Sequence, residues 1–107
     1  MIDVIQITTT IGSLEEAQRI ATALVEQRLA ACVQISGPVT SVYRWQGKLE
    51  QSAEWVCVVK TRQTLYDRAA AAIRQVHSYE TPEIIATPIV LLGADYLAWL
   101  AAQTAAE

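Results

Sequence analysis

Val39-Thr40-Ser41-Val42-Tyr43-Arg44-Trp45-Gln46-Gly47-Lys48-Leu49-Glu50 decides the fold, because it sets a tight turn between two extended segments with no helix to part them. Glycine takes positive φ at little steric cost, so Gln46-Gly47 suits a hairpin tip, with Trp45 beside it. Outward from this tip, the whole stretch from Ala31 to Thr61 reads as strands. Cys32-Val33-Gln34-Ile35 is short and apolar, and Gly37-Pro38 must bend or bulge it, since proline cannot donate to a central ladder. Ser52-Ala53 is expected to separate the hairpin from Glu54-Trp55-Val56-Cys57-Val58-Val59-Lys60, a strand apolar enough to be buried on both faces.

Helical patterns flank this region. Ile2 to Thr8 is rich in β-branched residues and alternates Val4, Gln6 and Thr8 against Asp3, Ile5 and Ile7, as a first strand would. After Gly12, Ser13 and Glu16 fit a capping box, each side chain satisfying a free backbone N–H. Ala17, Ile20, Ala21, Leu24 and Val25 follow at helical spacing. Downstream, Leu65, Ala69, Ala72, Ile73 and Val76 repeat with the same period behind a Thr64 cap. That helix should end near His77, because Pro82 and the residue before it disfavour helix. Ile84 to Leu92 is a last strand, and Pro88 within it points to an edge or a bulge. Asp95 then caps a terminal helix carrying Tyr96, Leu97, Trp99 and Leu100. The order β-α-β-β-α-β-α predicts an α+β fold. It matches a ferredoxin-like sandwich, one antiparallel sheet with helices on one face, extended by a C-terminal helix in a single domain over residues 1–107.

The chain has 107 residues, of which 52% are hydrophobic and 18% charged. So small a domain has much surface for its volume, and this apolar surplus predicts burial against another subunit. Eight basic and eleven acidic residues leave a net charge of −3, and no basic cluster marks a nucleic-acid footprint. Phenylalanine is absent, and Glu54 to Thr61 lacks the basic-aromatic pattern with which an RNA-recognition strand stacks bases. No apolar run is long enough to span a bilayer, and the start has no cationic leader, so a cytoplasmic protein without membrane insertion is expected. Cys32 and Cys57 form no CxxC pair and read as small buried hydrophobes.

The chemistry concentrates in His77-Ser78-Tyr79-Glu80-Thr81-Pro82-Glu83-Ile84, which holds the only histidine, a phenol and two carboxylates. A metal site could use Cys32, His77 and Glu80 or Glu83, and a thiolate with an imidazole suits copper(I) or zinc. No local spacing joins them, so only tertiary structure could assemble the set. The plainer alternative gives His77 a place at a helix C-terminus, where its cation favours the dipole, and leaves both glutamates solvated. A cysteine paired with His77 lacks a third orienting group, and no nucleophile elbow or phosphate loop is present. A hydrolase using His77 and Glu80 has only residue types behind it, so no enzyme activity is expected.

Ala31-Cys32-Val33, Ser41 to Gly47, Glu54 with Lys60-Thr61, His77 to Ile84 and Tyr96-Leu97-Ala98-Trp99-Leu100 together resemble the CutA family, the divalent-cation tolerance proteins. The match is collinear over nearly the whole chain. The family motif reads His-Pro-Tyr-Glu-x-Pro-Glu-Ile; here Ser78 replaces the first proline, and Gln34 stands where asparagine is usual. The resemblance implies a PII-like homotrimer whose long central strands cross subunit boundaries, with Tyr43 and Trp45 as interface anchors. It also implies copper or another divalent cation as ligand. Carried over by position, the site comprises Cys32, His77 and Glu80 as metal ligands, with Lys60, Tyr79 and Glu83 lining it. Lys60 repels a metal ion, so the alternative is a PII-like sensor that binds a small anion or a partner.

Overall fold

Ile5, Ile7, Thr9 and Ile11 point one way from β1 (Val4–Ile11) and are almost completely buried, as period-two alternation demands. The computed structural model describes residues 2–105. After β1 come α1 (Leu14–Glu26), β2 (Cys32–Trp45), β3 (Lys48–Arg62), α2 (Tyr66–Val76), β4 (Ile85–Ile89) and α3 (Ala94–Gln103). The sheet runs β2-β3-β1-β4 with every neighbouring pair antiparallel. Thus β1 and β2 run parallel with β3 between them, the split β-α-β arrangement expected from the element order. Pro88 lies in β4, an edge strand, where proline's lack of an N–H is tolerated.

The main core lies between one sheet face and α1 with α2. Ile20 and Leu24 from α1, Leu65 just before α2, and Ala69 and Ile73 within α2 meet Ile7, Ile11, Cys57 and Val59 there. Each fully buried Ile, Leu or Val contributes about 1.5–3 kcal/mol. The stripe on α1 is narrower than expected, since Val25 is 44% exposed. Ser13 does cap α1, its Oγ accepting from Glu16 N–H at 3.1 Å. The reciprocal half differs from expectation: Glu16 Oε2 accepts from the Ser13 hydroxyl at 3.2 Å in place of a backbone N–H.

Three local expectations need correction. Ser52-Ala53 does not interrupt β3, because Ser41 and Thr40 of β2 pair with them and carry the ladder through. Thr64 lies inside a 3-10 turn (Gln63–Leu65) and makes no cap; that turn already satisfies the chain entering α2. Gly93, not Asp95, stands at the start of α3, and Asp95 sits within its first turn, where a carboxylate favours the helix dipole. The strand bounds shift as well: β1 starts at Val4 rather than Ile2, and β4 ends at Ile89 rather than Leu92.

The face of β3 opposite α1 and α2 is also more open than expected. Cys57, Val59 and Thr61 are buried against the helices, whereas Val56, Val58 and Lys60 on the other face are only half-buried. The reason is that α3 covers just one end of that face, packing Leu100 on Val4 and Ala31. Helices therefore lie on both sides of the sheet. Arg62 fastens α3 by donating from Nε to Thr104 Oγ1 at 2.7 Å and from Nη2 to Ala101 O at 2.6 Å. Arg28 donates to Ala102 O at 2.6 Å, so two guanidinium groups meet carbonyls at the helix's negative end.

Beyond the body, β2 and β3 continue as a two-stranded arm. The register shifts between Ser36 and Val39, as Gly37-Pro38 required. Gly37 has φ +145°, and a Cβ there would stand 3.0 Å from Glu54 O and from the Trp55 ring, so the bulge needs glycine. At the tip Gln46 and Gly47 both have positive φ (51° and 80°), which fits a two-residue hairpin turn of the primed kind.

Candidate functional site

Where α2 ends, His77 turns the chain into an extended conformation and buries its ring to 8% exposure. Its Nε2 lies 2.8 Å from Thr10 O, and its Nδ1 accepts from Tyr79 N–H at 3.1 Å. A carbonyl can only accept and an amide N–H can only donate, so the proton belongs on Nε2 and the ring is neutral. Both nitrogens are thus engaged in fastening the segment after α2 to the end of β1. The ring does not act as a helix-terminal cation in this arrangement.

Tyr79 continues the chain of contacts. Its ring lies 4.7 Å from that of His77, and its hydroxyl donates to Glu54 Oε2 at 2.7 Å. Burial, with the hydrogen bond to Glu54 and that carboxylate's charge, pushes the Tyr79 phenol well above its ordinary value. Glu54 is only 7% exposed. It sits where the arm leaves the body, and it was missed as a site residue; the available signal was a lone carboxylate at the start of an apolar strand. Tyr79, Glu54, Glu80 and Glu83 line a groove of about 610 Å³, whose other wall carries Tyr43 and Trp45 from the arm.

Cys32 and Lys60 occupy a different place. They are cross-strand partners, and Lys60 Nζ donates to Gln34 Oε1 at 2.9 Å. The family departure at Gln34 therefore supplies an acceptor for the lysine. Tyr96 of α3 lies nearby, its phenol raised by burial and then by Cys32. From Glu54 to Lys60 the strand covers about 20 Å at the usual rise. The structure brings His77, Tyr79, Glu80 and Glu83 together at one end, and Cys32 with Lys60 at the other. Among the described residues, no group of three His, Cys, Asp or Glu side chains is placed to hold a metal ion. Cys57 is no part of either end: its thiol is buried on the helix face, pushed up by that burial, and approaches Ala17 O at 3.9 Å. Both cysteines are free, and their positions on β2 and β3 put them on opposite faces of the sheet.

The class defined so far is a ferredoxin-like α+β domain with a projecting β-hairpin and a C-terminal helix on the second sheet face. The family of CutA1 divalent ion tolerance proteins matches residues 5–103. The chain belongs to that family. The divalent-cation tolerance protein CutA of Thermus thermophilus is 43% identical over 89% of this chain and 92% of its own length. Among solved structures, CutA1 from Oryza sativa superposes with a TM-score of 0.96 at 35% identity, covering 99% of this chain and 97% of that one. The periplasmic divalent cation tolerance protein CutA from Archaeoglobus fulgidus gives 0.91 at 40% identity, covering 94% and 97%. The chain spans about half the length of the plant and mammalian relatives, 55% in the case of the chloroplastic CutA protein of Arabidopsis thaliana. No helix among the described residues is long and apolar enough to cross a membrane.

Proposed function

We propose that this chain is a non-enzymatic, cytoplasmic divalent-cation tolerance protein that works as a homotrimer and binds copper or another divalent ion where subunits meet. One observation carries the reading: the two halves of the expected site lie about 20 Å apart along β3 in one chain, a gap that a neighbouring chain would have to close for the site to form. The exposed apolar residues support such assembly, with Val42 60%, Leu49 73%, Val90 80% and Leu91 88% exposed. Cys32 would supply a thiolate, His77 an imidazole nitrogen and Glu80 a carboxylate, a donor set whose softness favours copper. Lys60, Tyr79 and Glu83 border it. For His77 to offer a lone pair, Tyr79 N–H must leave Nδ1, so binding is coupled to movement of the segment after α2. Tyr43 and Trp45 serve as interface anchors.

The test pairs mass with metal. Light scattering should give three chains per particle, and copper titration should saturate with an affinity weakened about a hundredfold in a Cys32→Ala, His77→Ala double variant. Copper binding unchanged in that variant would defeat the site assignment. The anion-sensor alternative has less support, because the groove at Tyr79 carries three glutamates while Lys60 sits at the far end with Gln34. An anion-dependent thermal shift lost on Lys60→Ala would restore it.

A further inference from the structure

We propose that α3 is a strap, latched at its C-terminal end by Arg28 and Arg62, whose release uncovers the Cys32 end of the sheet. Leu100 is the one buried residue of α3; it packs on Val4 and Ala31, with Leu92 and Leu97 only partly buried beside it. Local opening costs least where little apolar surface is buried, so this shallow core opens more readily than the one under α1 and α2. Ala31 lies under Leu100. One turn back along α3, Tyr96 stands beside the half-buried Cys32, whose charge adds to burial in raising the phenol.

The fastening is lopsided. Gly93 gives α3 no side-chain cap at its start. Among the described residues, the side-chain bonds from the body all reach the other end, from Arg62 to Thr104 Oγ1 and Ala101 O and from Arg28 to Ala102 O. Thr104 is buried and donates its own hydroxyl to Leu100 O at 3.0 Å, so the Arg62 bond fixes the last turn of the helix. Arg28 has φ +59°, the left-handed conformation that ends α1 and in which glycine is the unstrained residue. Held there, its carbonyl oxygen accepts from Ala105 N–H at 2.8 Å while its Nη2 reaches Ala102 O at 2.6 Å. Arginine strains the turn after α1 but supplies a bond to α3 that glycine could not.

The purpose of the strap rests on the metal reading, in which Cys32 must receive an ion and α3 controls the way in; the strap itself is measured without metal. Hydrogen exchange of the assembled, metal-free protein is followed by mass spectrometry, with particle mass from light scattering. Amides of α3 should exchange ahead of those of α1 and α2, and about tenfold faster again in Arg62→Gln, which loses both of its bonds. Arg28→Gly sets the two parts against each other, and decides alone should Arg62→Gln fail to fold. Glycine relieves the turn, so α1 keeps its protection, while α3 should exchange about threefold faster. Iodoacetamide should modify Cys32 faster in the same proportion, with Cys57 under the helices as the control for global opening. Exchange in α3 level with α1 and α2, or unchanged in the variants, overturns the proposal. So does Cys57 reacting in step with Cys32, a Cys32 rate that stays constant, or a fall in particle mass. Copper that fails to bind while these rates change as expected would defeat the metal reading and leave the strap in place.

Discussion

The body and the arm are made from the same two strands, β2 and β3, yet they are held by different means. In the body, Cys57, Val59 and Thr61 of β3 have no exposed surface and lie under α1 and α2. In the arm, Val42 and Leu49 are 60% and 73% exposed, and the one side-chain bond across it joins Tyr43 Oη and Ser52 Oγ at 3.3 Å. Strand propensity and a good turn are enough to shape the arm. They do not bury it. An isolated two-stranded ribbon is marginal in water, and within this chain Val42 and Leu49 of the arm stay open.

The contrast can be broken by mutation, starting in the body. Ile7→Ala should lower unfolding free energy by about 2–5 kcal/mol, seen as a fall in denaturant midpoint with little change of slope. At the junction, Tyr79→Phe removes a charge-assisted bond and leaves Glu54 buried without its donor, an expected loss of about 1.5–3 kcal/mol. The Tyr79 phenol has a pH signature, set first by its burial and then by this bond. Because the phenol's folded pKa lies above its ordinary 10.0, its stabilisation is complete below that value and is lost as pH rises past it. A spectrophotometric tyrosinate titration should show a late component that shrinks in Tyr79→Phe; an unchanged curve would refute this.

Ser13→Ala should cost about 1 kcal/mol by freeing Glu16 N–H at the start of α1. The smallest effect belongs to the arm. In dispersed chains Leu49→Ala should change stability by about 0.5 kcal/mol or less, while lowering the fraction that assembles in sedimentation experiments. A large loss in dispersed chains would show that the arm is held from within, and the comparison would fail.

Element order was readable because its signals are local: Ser13 before α1, Pro88 on an edge, Gly47 at the tip. The errors at Thr64 and Asp95 have a common cause. A hydroxyl or carboxylate near a helix start signals a cap only if the chain runs directly into the helix. The turn at Gln63–Leu65 and the position of Gly93 shift the first residue of α2 and of α3 away from those side chains. The site was readable as a set of residues and not as a place. His77 and Tyr79 are two residues apart and stay together, but Glu54 joins them only because β1, β3 and the end of α2 meet. Cys32 and Lys60 share a register that fixes them at the sheet's other end, and periodicity carries no such distance.

The two-residue tip at Gln46-Gly47 also bears on the order in which the chain folds. Residues 39–54 pair with near neighbours in sequence, so little loop entropy opposes their closure and the hairpin can zip within about 1–10 μs. Pairing of β1 with β3 and β4 must instead join segments from distant parts of the chain, and it sets the slower pace. An exposed part of the native chain is thus expected to be the first to acquire its shape. A newly made chain would carry a formed, sticky ribbon before its own core has closed, and the rate at which copies meet would then compete with the rate at which each one finishes folding.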